Sequence, residues 1–308
     1  MIAKQLPSAA AKERIMKRLT IIVTAALLGI PVAGQSIYRQ PSDASHPTAP
    51  QVPAYAVFAG DTIRFDTAEK YERMDRELLA FTYMQSNSTL MLKRSGRWFP
   101  FIEPMLKDNG IPDDFKYLCA IESNLDPKAV SVTGATGLWQ FTKVTAREFG
   151  MEVSSEVDER YNEEKETIGA CAYLKRAYAK FGDWTAVAAS YNCGIAGVSK
   201  RMEVQKQSSF FDLLLPEETS RYVYRILVAK MFFENPEAFG FNVPDRYKPM
   251  EISRSVLVSG EIPSLVDFAA QYGVSYAQLK RANLWLRSDK LTNKDKRTYR
   301  ILIPKPAQ

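Results

Sequence analysis

Apolar positions between residues 58 and 240 recur mostly every three or four residues, which is the period of α-helices that bury one face. Turn-forming residues separate these stretches, and Asn109-Gly110 is a typical helix-ending pair. The predicted helical segments are 69–84, 88–92, 101–108, 112–122, 138–149, 167–181, 185–191 and 217–234. The pattern therefore predicts a mainly α domain over residues 55–240, large enough to hold a sizeable core.

The pattern changes after residue 240. Residues 256–258 are β-like, and residues 298–304 alternate apolar and polar side chains as a half-buried strand does. Two short helical stretches, 265–272 and 276–283, lie between them. This order predicts a small βααβ module within residues 241–308.

The beginning of the chain has the pattern of an export signal. The basic pair Lys17-Arg18 precedes an apolar run over residues 19–33, shorter than the roughly 20 residues of a membrane-spanning helix. We predict a signal peptide over residues 1–34, with a retained membrane anchor as the alternative. Residues 35–54 contain four prolines and predict an extended linker. The protein is therefore expected in the periplasm or cell envelope.

Composition narrows the chemistry that the chain can support. The 308 residues are 46% hydrophobic and 25% charged, as in an ordinary globular protein. The single histidine, His46, lies in the proline-rich linker, which argues against a Ser–His or Cys–His pair. The motifs HExxH, paired Cys-x-x-Cys and GxxxxGK(S/T) are absent. We therefore expect carboxylates as proton carriers in any catalysis, with no metal or organic cofactor.

The net charge of +6 is unevenly distributed along the chain. Residues 1–34 carry +4 and residues 241–308 carry +6, which leaves −4 for the middle of the chain. The basic residues of the middle form no stripe with interleaved aromatic side chains, so no nucleic-acid partner is expected. The basic tail is either ordinary solvated surface or attracts an anionic polymer.

The three cysteines lack the spacing of metal ligands. Cys119 and Cys171 lie in apolar helical patterns, where buried small hydrophobic side chains are expected. A disulfide between two of the three, with Cys193 included, stays open. No catalytic role is assigned to any of them.

Four separated clusters carry candidate chemistry. They are Glu122-Ser123, Gly134-Ala-Thr-Gly-Leu-Trp-Gln140, Ser190-Tyr-Asn-Cys-Gly194 and Glu218-Thr-Ser-Arg-Tyr-Val223. Each cluster alone is typical of ordinary structure, since a glutamate at a helix end is usually a solvated or ion-paired residue. The order of the four clusters and the distances between them are together more specific for a protein family than any single cluster.

Taken together, the clusters resemble the bacterial lytic transglycosylases, whose SLT domain has the lysozyme-like α+β fold of goose-type lysozyme. The family hallmarks are an ES pair, GLMQ, AYNAG and a late ET-x-x-YV. The chain departs from them at Trp139, Ser190 and Cys193. The resemblance covers roughly residues 70–240 and implies a mainly α, lysozyme-like catalytic domain.

The resemblance implies cleavage of the β-1,4 bond between N-acetylmuramic acid and N-acetylglucosamine in peptidoglycan strands. The leaving oxygen must be protonated by an acid, which needs a raised pKa near neutral pH. Glu122 follows an apolar helical stretch, where desolvation would raise its pKa. The family implies that the same carboxylate then acts as a base on the C6 hydroxyl, which closes onto C1 and leaves a 1,6-anhydro end.

The other matched positions receive supporting roles from the resemblance. The expected substrate-binding residues are Ser123, Ser131, Gln140, Tyr191, Asn192, Glu218 and Tyr222. Ser131 would lie near the acid or the acetamido group, and Glu218 and Tyr222 would support the acid or form a wall of the cleft. The expected partner is peptidoglycan, with the enzyme acting as a monomer and membrane association dependent on the anchor.

The C-terminal module resembles a LysM carbohydrate-binding module. The resemblance rests on residues 272–283 and on Ile301-Leu-Ile-Pro304. The usual opening GD-T is missing, and Ser259-Gly260-Glu261 stands there. Glycan binding and simple packing on the catalytic domain both stay open for this module.

Two rival functions are also consistent with the pattern. A hydrolytic muramidase on the same fold needs a second carboxylate that positions water, for which Asp126 and Glu218 are the candidates. A cell-wall-binding protein without catalysis would keep the fold but damage the cleft, whereas Glu122, Gln140 and Tyr191 are all present.

Overall fold

The computed structural model describes residues 48–306. The predicted signal peptide over residues 1–34 and most of the predicted linker over residues 35–54 lie outside the described residues. Within residues 48–306, no helix combines the length and the apolar composition of a membrane span.

The described chain begins with a β-hairpin, continues through eight α-helices and ends with a βααβ unit. The elements before residue 240 are β1 (Tyr55–Phe58), β2 (Asp61–Arg64), α1 (Ala68–Tyr83), α2 (Gln85–Asp108), α3 (Phe115–Ser123), α4 (Lys143–Glu148), α5 (Glu163–Phe181), α6 (Trp184–Cys193), α7 (Ile195–Gln205) and α8 (Glu217–Glu234). The final unit consists of β3 (Ile252–Val258), α9 (Leu265–Gln271), α10 (Tyr276–Ala282) and β4 (Tyr299–Pro304). The predicted mainly α fold with a C-terminal βααβ unit is confirmed.

Helix α8 forms the centre of the helical core, because it packs against α1, α3 and α6. Its Phe232 is fully buried and lies edge-on to Phe239 and Phe241, at centroid distances of 5.3 and 5.1 Å. Aromatic contacts of this kind add to the free energy gained by burying the rings. Packing in the core therefore fixes the position of α8 relative to α3.

Helix α2 is continuous, whereas the sequence predicted two separate helical segments, 88–92 and 101–108. Pro100 and Pro104 both lie inside the helix. A proline removes one backbone hydrogen bond and crowds the preceding turn. Phe99, Ile102 and Leu106 are buried along the same face on both sides of the prolines, so tertiary packing holds the helix together.

The predicted helix over residues 138–149 is wrong in its first half, since α4 begins only at Lys143. The backbone N–H groups of Leu138 and Trp139 donate to the buried carboxylate of Glu166 instead, each at 3.0 Å. Gln140 then adopts a left-handed conformation with φ of 52°. The side chain of Glu166, which is distant in the sequence, thus replaces the local helical hydrogen bonds of this segment.

Two elements were missed by the sequence patterns. The hairpin of β1 and β2 is short, and a two-residue turn at Ala59-Gly60 joins its strands. Helix α7 buries only Val198 among its eleven residues, so it carries little hydrophobic periodicity. Both elements lack the strong apolar pattern on which a sequence prediction depends.

The C-terminal unit pairs β3 with β4 in antiparallel register, with Val256 opposite Ile301. Leu279 and Ile301 lie in its separate hydrophobic cluster, and both are fully buried. Val157 from the helical part belongs to the same cluster. The unit is thus completed by a residue from outside its own sequence.

All three cysteines are free thiols. Cys119 and Cys171 are buried, as predicted for small hydrophobic side chains, and Cys193 is half-buried. The disulfide that the sequence left open is not formed in this structure.

A buried ion pair fixes α8 against α1. Glu77 of α1 is only 1% exposed, and its carboxylate faces Arg221 at 2.5 Å and Arg225 at 3.3 Å. We expect Glu77→Ala to lower the free energy of unfolding by about 3 kcal/mol, because it leaves two guanidinium groups without their buried partner.

Urea unfolding followed by circular dichroism measures this loss. Glu72→Ala is the matched control, since Glu72 is exposed on the same helix and surface substitutions usually stay within about 0.5 kcal/mol. Equal stability of the two variants would contradict a structural role for the Glu77 ion pair.

Candidate active site

Glu122 lies in the last turn of α3, where an apolar helix meets a sharp turn of the chain. Phe115 and Leu118 anchor this helix in the core and are fully buried. Asn124 and Leu125 then adopt left-handed conformations, with φ of 54° and 53°. The half-buried side chain of Glu122 is therefore held at a rigid helix end.

Helix α8 supplies the groups that face this carboxyl. The buried hydroxyl of Tyr222 donates a hydrogen bond to Oε1 of Glu122. Glu218 lies one turn earlier on the same helix and is exposed, and Arg225 lies one turn later. One helix thus brings a hydroxyl, a carboxylate and a guanidinium toward the end of α3.

The balance of these groups sets the acidity of Glu122. Burial has the largest effect and, overall, the pKa of this carboxyl is raised from 4.5 to about 7. The hydrogen bond from Tyr222 and the charge of Arg225 lower the pKa, whereas the charge of Glu218 raises it. Glu122 can therefore give and take a proton near neutral pH.

Helix α6 carries two of the predicted site residues, and the first of them, Tyr191, lies near Glu122. Tyr191 donates its hydroxyl to the backbone oxygen of Trp139 at 2.8 Å. Burial and the nearby charge of Glu122 raise the pKa of Tyr191 well above its ordinary value. Asn192 accepts at Oδ1 from the hydroxyl of Thr219 on α8, at 2.7 Å.

The segment 134–141 forms the neighbouring loop, called the site loop below. Gln140 turns its side-chain amide back onto this loop and donates to the carbonyls of Ala129 and Gly137, at 3.2 and 2.8 Å. Thr136 and Phe141 pair through two backbone hydrogen bonds of 3.0 and 3.1 Å. The loop is therefore closed on itself, with Gln140 half-buried at its end.

Two predicted serines are engaged locally. Ser123 is buried, and its hydroxyl donates to the carbonyl of Cys119 within α3 at 3.3 Å. Ser131 is exposed, bonds to the hydroxyl of Thr133 at 3.0 Å and accepts from the backbone of Ala135 at 3.0 Å. The structure thus places Glu122, Tyr191, Asn192, Glu218 and Tyr222 on three helices that meet at α8, with Gln140 in the site loop and Ser131 just before it.

The sequence analysis missed Glu166, which holds the site loop from beneath. Its fully buried carboxylate accepts from the loop backbone, and burial raises its pKa well above the ordinary value. Gly137 is required here, because a Cβ would overlap both Glu166 and the carbonyl oxygen of Arg160. The available signal was an acidic residue within the apolar stripe of α5, at helical spacing from Ala170 and Leu174.

A separate cavity of about 540 Å³ lies away from these residues, between the helical part and the C-terminal unit. Trp98, Phe101 and Trp285 contribute to its lining, together with Glu163. Burial raises the pKa of Glu163 to about 7 as well. Within residues 48–306, no group of three or more histidine, cysteine or acidic side chains is arranged to hold a metal ion.

We expect Tyr222→Phe to raise the pKa of Glu122 above about 7, because the lost hydrogen bond stabilises the charged carboxylate. A carboxyl-detected NMR titration measures this pKa directly. Tyr224→Phe is the control, since Tyr224 is equally buried on the same helix and packs on Phe65 and Phe211. A pKa that stays the same in both variants would contradict the electrostatic role of Tyr222.

Comparison with protein families gives two matches along the chain. The family model described as "Transglycosylase SLT domain" matches residues 99–213, which include α3, α5, α6 and the site loop. The model described as "Soluble lytic transglycosylase C-terminal LysM-like domain" matches residues 254–307. The predicted fold class, a lysozyme-like SLT domain with a LysM-like module, is confirmed.

Individual relatives match parts of the chain. Membrane-bound lytic murein transglycosylase D of Escherichia coli (strain K12) is 27% identical over 242 residues, covering 76% of this chain and 52% of that protein. Membrane-bound lytic murein transglycosylase F of Salmonella typhi is 33% identical over 127 residues, covering 38% of this chain and 25% of that protein. At best, the chain thus spans about half the length of the curated relatives that it matches.

Among solved structures, the 70-kDa soluble lytic transglycosylase of Escherichia coli is 17% identical, with a TM-score of 0.39. The match covers 60% of this chain and 34% of that one. The assignment of the chain therefore rests on the family models and on the sequence relatives. Residues 99–213 match the transglycosylase SLT domain family, and residues 254–307 match the LysM-like C-terminal domain of soluble lytic transglycosylases.

Proposed function

We propose that the protein is a peptidoglycan lytic transglycosylase in which Glu122 acts first as acid and then as base. The observation that carries this proposal is the half-buried carboxyl with a pKa of about 7, opposite the hydroxyl of Tyr222. The SLT family match and the lytic murein transglycosylase relatives support the same activity. The proposed bond is the β-1,4 link between N-acetylmuramic acid and N-acetylglucosamine.

In the first step, Glu122 protonates the oxygen that leaves with N-acetylglucosamine. A pKa of about 7 keeps a large fraction of the group protonated at neutral pH. Tyr222 occupies Oε1, so the transferable proton belongs on Oε2. Breaking the bond leaves oxocarbenium character on C1 of the muramic sugar, next to the newly charged carboxylate.

In the second step, the Glu122 carboxylate takes the proton of the C6 hydroxyl, and that oxygen bonds to C1 of the same sugar. The product is a 1,6-anhydromuramic end, and Glu122 returns to its protonated form. The hydrogen bond from Tyr222 and the positive charge of Arg225 stabilise the carboxylate between the two steps. Water is not a reactant, so a second, water-positioning carboxylate is not needed.

The remaining predicted site residues are proposed to line the subsites. Tyr191 lies near Glu122, and Asn192 follows it on α6 with its side chain bonded to Thr219 of α8, so their positions support contact with the sugar acetamido group. Gln140 and Ser131 would contact the strand from the loop side, and Glu218 would act through its charge on Glu122. Substrate contact by Ser123 stays a prediction, because its hydroxyl is used within α3.

The hydrolytic alternative depends on a second carboxylate. Asp126 is paired with Arg94 at 2.8 Å and also accepts from the backbone of Lys128, which argues against its use for water. Glu218 is the remaining candidate. A non-catalytic wall-binding protein is disfavoured by the raised pKa of Glu122, since an inactive cleft has no need for a poised acid.

We also propose the domain division and the location of the protein. The catalytic domain would occupy residues 55–240 and the glycan-binding module residues 241–308, behind an exported N-terminus. The names of the relatives and the LysM-like match support action on the murein of the cell envelope. Peptidoglycan is the proposed partner of both domains.

We expect Glu122→Gln to abolish glycan cleavage, by at least about 1000-fold, because the amide can neither donate nor recapture the proton. Release of muropeptides from purified sacculi measures the activity. Glu163→Gln is the matched control, since it removes another carboxyl with a pKa of about 7 that lies at the separate cavity. Retained cleavage in Glu122→Gln would remove Glu122 from the mechanism.

The released ends decide between the two reactions. Mass spectrometry is expected to find 1,6-anhydro ends, which are one water lighter than reducing ends. Reducing ends as the main product would instead identify a muramidase and would point to Glu218 as the water-positioning group.

The pH dependence of kcat/KM tests the acid directly. We expect a fall of about tenfold per pH unit above pH 7, because only protonated Glu122 starts the reaction. Glu218→Gln removes a charge that raises this pKa, so the fall should move to lower pH. Glu217→Gln is the control, since Glu217 pairs with Arg76 instead. An unshifted profile in Glu218→Gln would exclude electrostatic coupling to Glu122.

A further inference from the structure

The segment 152–161, called the docking segment below, lies between α4 and α5 in the helical part and contacts the C-terminal module. Val157 is 1% exposed and lies in the hydrophobic cluster of the module, where it pairs with Leu286 in an antiparallel bridge. The backbone N–H of Asp158 donates to the carbonyl of Trp285 at 2.9 Å. The module core is therefore closed by a residue of the other domain.

Side chains strengthen the same contact. The Glu156 carboxylate accepts from both the backbone N–H and the hydroxyl of Thr292, at 2.7 and 3.0 Å. The Glu152 carboxylate accepts from the hydroxyl of Tyr299 at 2.7 Å. Together with the bond from the backbone N–H of Arg287 to the carbonyl of Glu156 at 2.7 Å, five hydrogen bonds and a shared apolar core describe a built interface rather than a flexible tether.

The other side of the docking segment holds the site loop. Arg160 forms a two-point pair with Asp158, at 2.9 and 2.7 Å, and both side chains are about 10% exposed. Its Nη1 donates to the carbonyl of Gly134 at 2.9 Å and to that of Phe141 at 3.4 Å. One guanidinium thus ties the two ends of the site loop together.

Asp158 is the point at which the two sets of contacts meet. Its backbone binds the module, and its carboxylate orients Arg160. The docking segment bonds to itself through an antiparallel bridge between Val153 and Asp158 and ends in a 3₁₀ turn, Glu159–Tyr161, so that it forms one short unit with contacts on both sides. Displacing the module would therefore displace Arg160.

We propose that Arg160 is a positioning residue through which the docked C-terminal module sets the geometry of the site loop beside Glu122. The proposal rests on the proposed function only for its effect on catalysis. The site loop reaches the acid through Trp139, whose carbonyl accepts from Tyr191. The module then contributes to cleavage itself, in addition to any binding of glycan.

Hydrogen exchange tests the coupling without any substrate. We expect Glu156→Ala to speed amide exchange in residues 134–141 by about tenfold, because a weaker interface lets the loop open more often. Arg160→Lys should do the same, since an ammonium keeps the charge but cannot bridge Asp158 and two carbonyls at once. Glu261→Ala is the control, because Glu261 is exposed on the module and makes no hydrogen bond or ion pair with residues 48–306.

Kinetics on short soluble glycan strands tests the consequence. We expect kcat to fall about tenfold in Glu156→Ala and Arg160→Lys, with KM within twofold and the pH profile unchanged, because the loop is misplaced while Glu122 keeps its surroundings. A general loss of folding would change the pH profile or the thermal midpoint instead. Full activity with unchanged exchange in both variants would overturn the proposal and leave the module as a tether.

The two proposals fail in different ways. A wild-type protein that releases no anhydro ends would contradict the proposed function, yet the exchange of residues 134–141 would still decide the coupling. Unchanged exchange together with normal release of anhydro ends would overturn the coupling alone.

Discussion

The proposed activity depends on how far the carboxyl group of Glu122 is buried away from water. Glu122 ends an apolar helix and meets α8, where burial alone would keep it protonated. The hydroxyl of Tyr222 and the charge of Arg225 oppose that effect, so the pKa settles near 7 rather than far above it. A group that must both donate and accept a proton needs this balance, since a stronger or weaker acid would perform only one of the two steps well.

Two other buried carboxylates show that burial alone does not leave a carboxyl free to exchange a proton with a bound molecule. Glu77 is enclosed by Arg221 and Arg225, and Glu166 receives two backbone N–H groups of the site loop. Their oxygens are occupied by fixed donors, so each one holds helices or loops in place. Glu122 differs because, among residues 48–306, a single hydroxyl contacts one of its oxygens, which leaves the other for the proposed substrate.

The C-terminal module is also held by contacts between groups that are far apart in the sequence. Its hydrophobic cluster includes Val157, and its backbone binds Asp158, which in turn orients Arg160 under the site loop. A module attached only by a flexible linker would add binding strength through local concentration. A module that shares a core with the docking segment can also influence the shape of the cleft.

The sequence by itself determined the helical core and the βααβ unit, because hydrophobic periodicity is a local property of the chain, and the order of four motifs singled out Glu122 as the candidate acid. It failed for the residues before Lys143, where Glu166 captures backbone groups that a helix would otherwise use. It also failed to find Arg160, since nothing near Arg160 in the chain indicates that Gly134 and Phe141 lie against it. Only the tertiary structure decided these contacts, because they join groups far apart in sequence whose energies depend on burial.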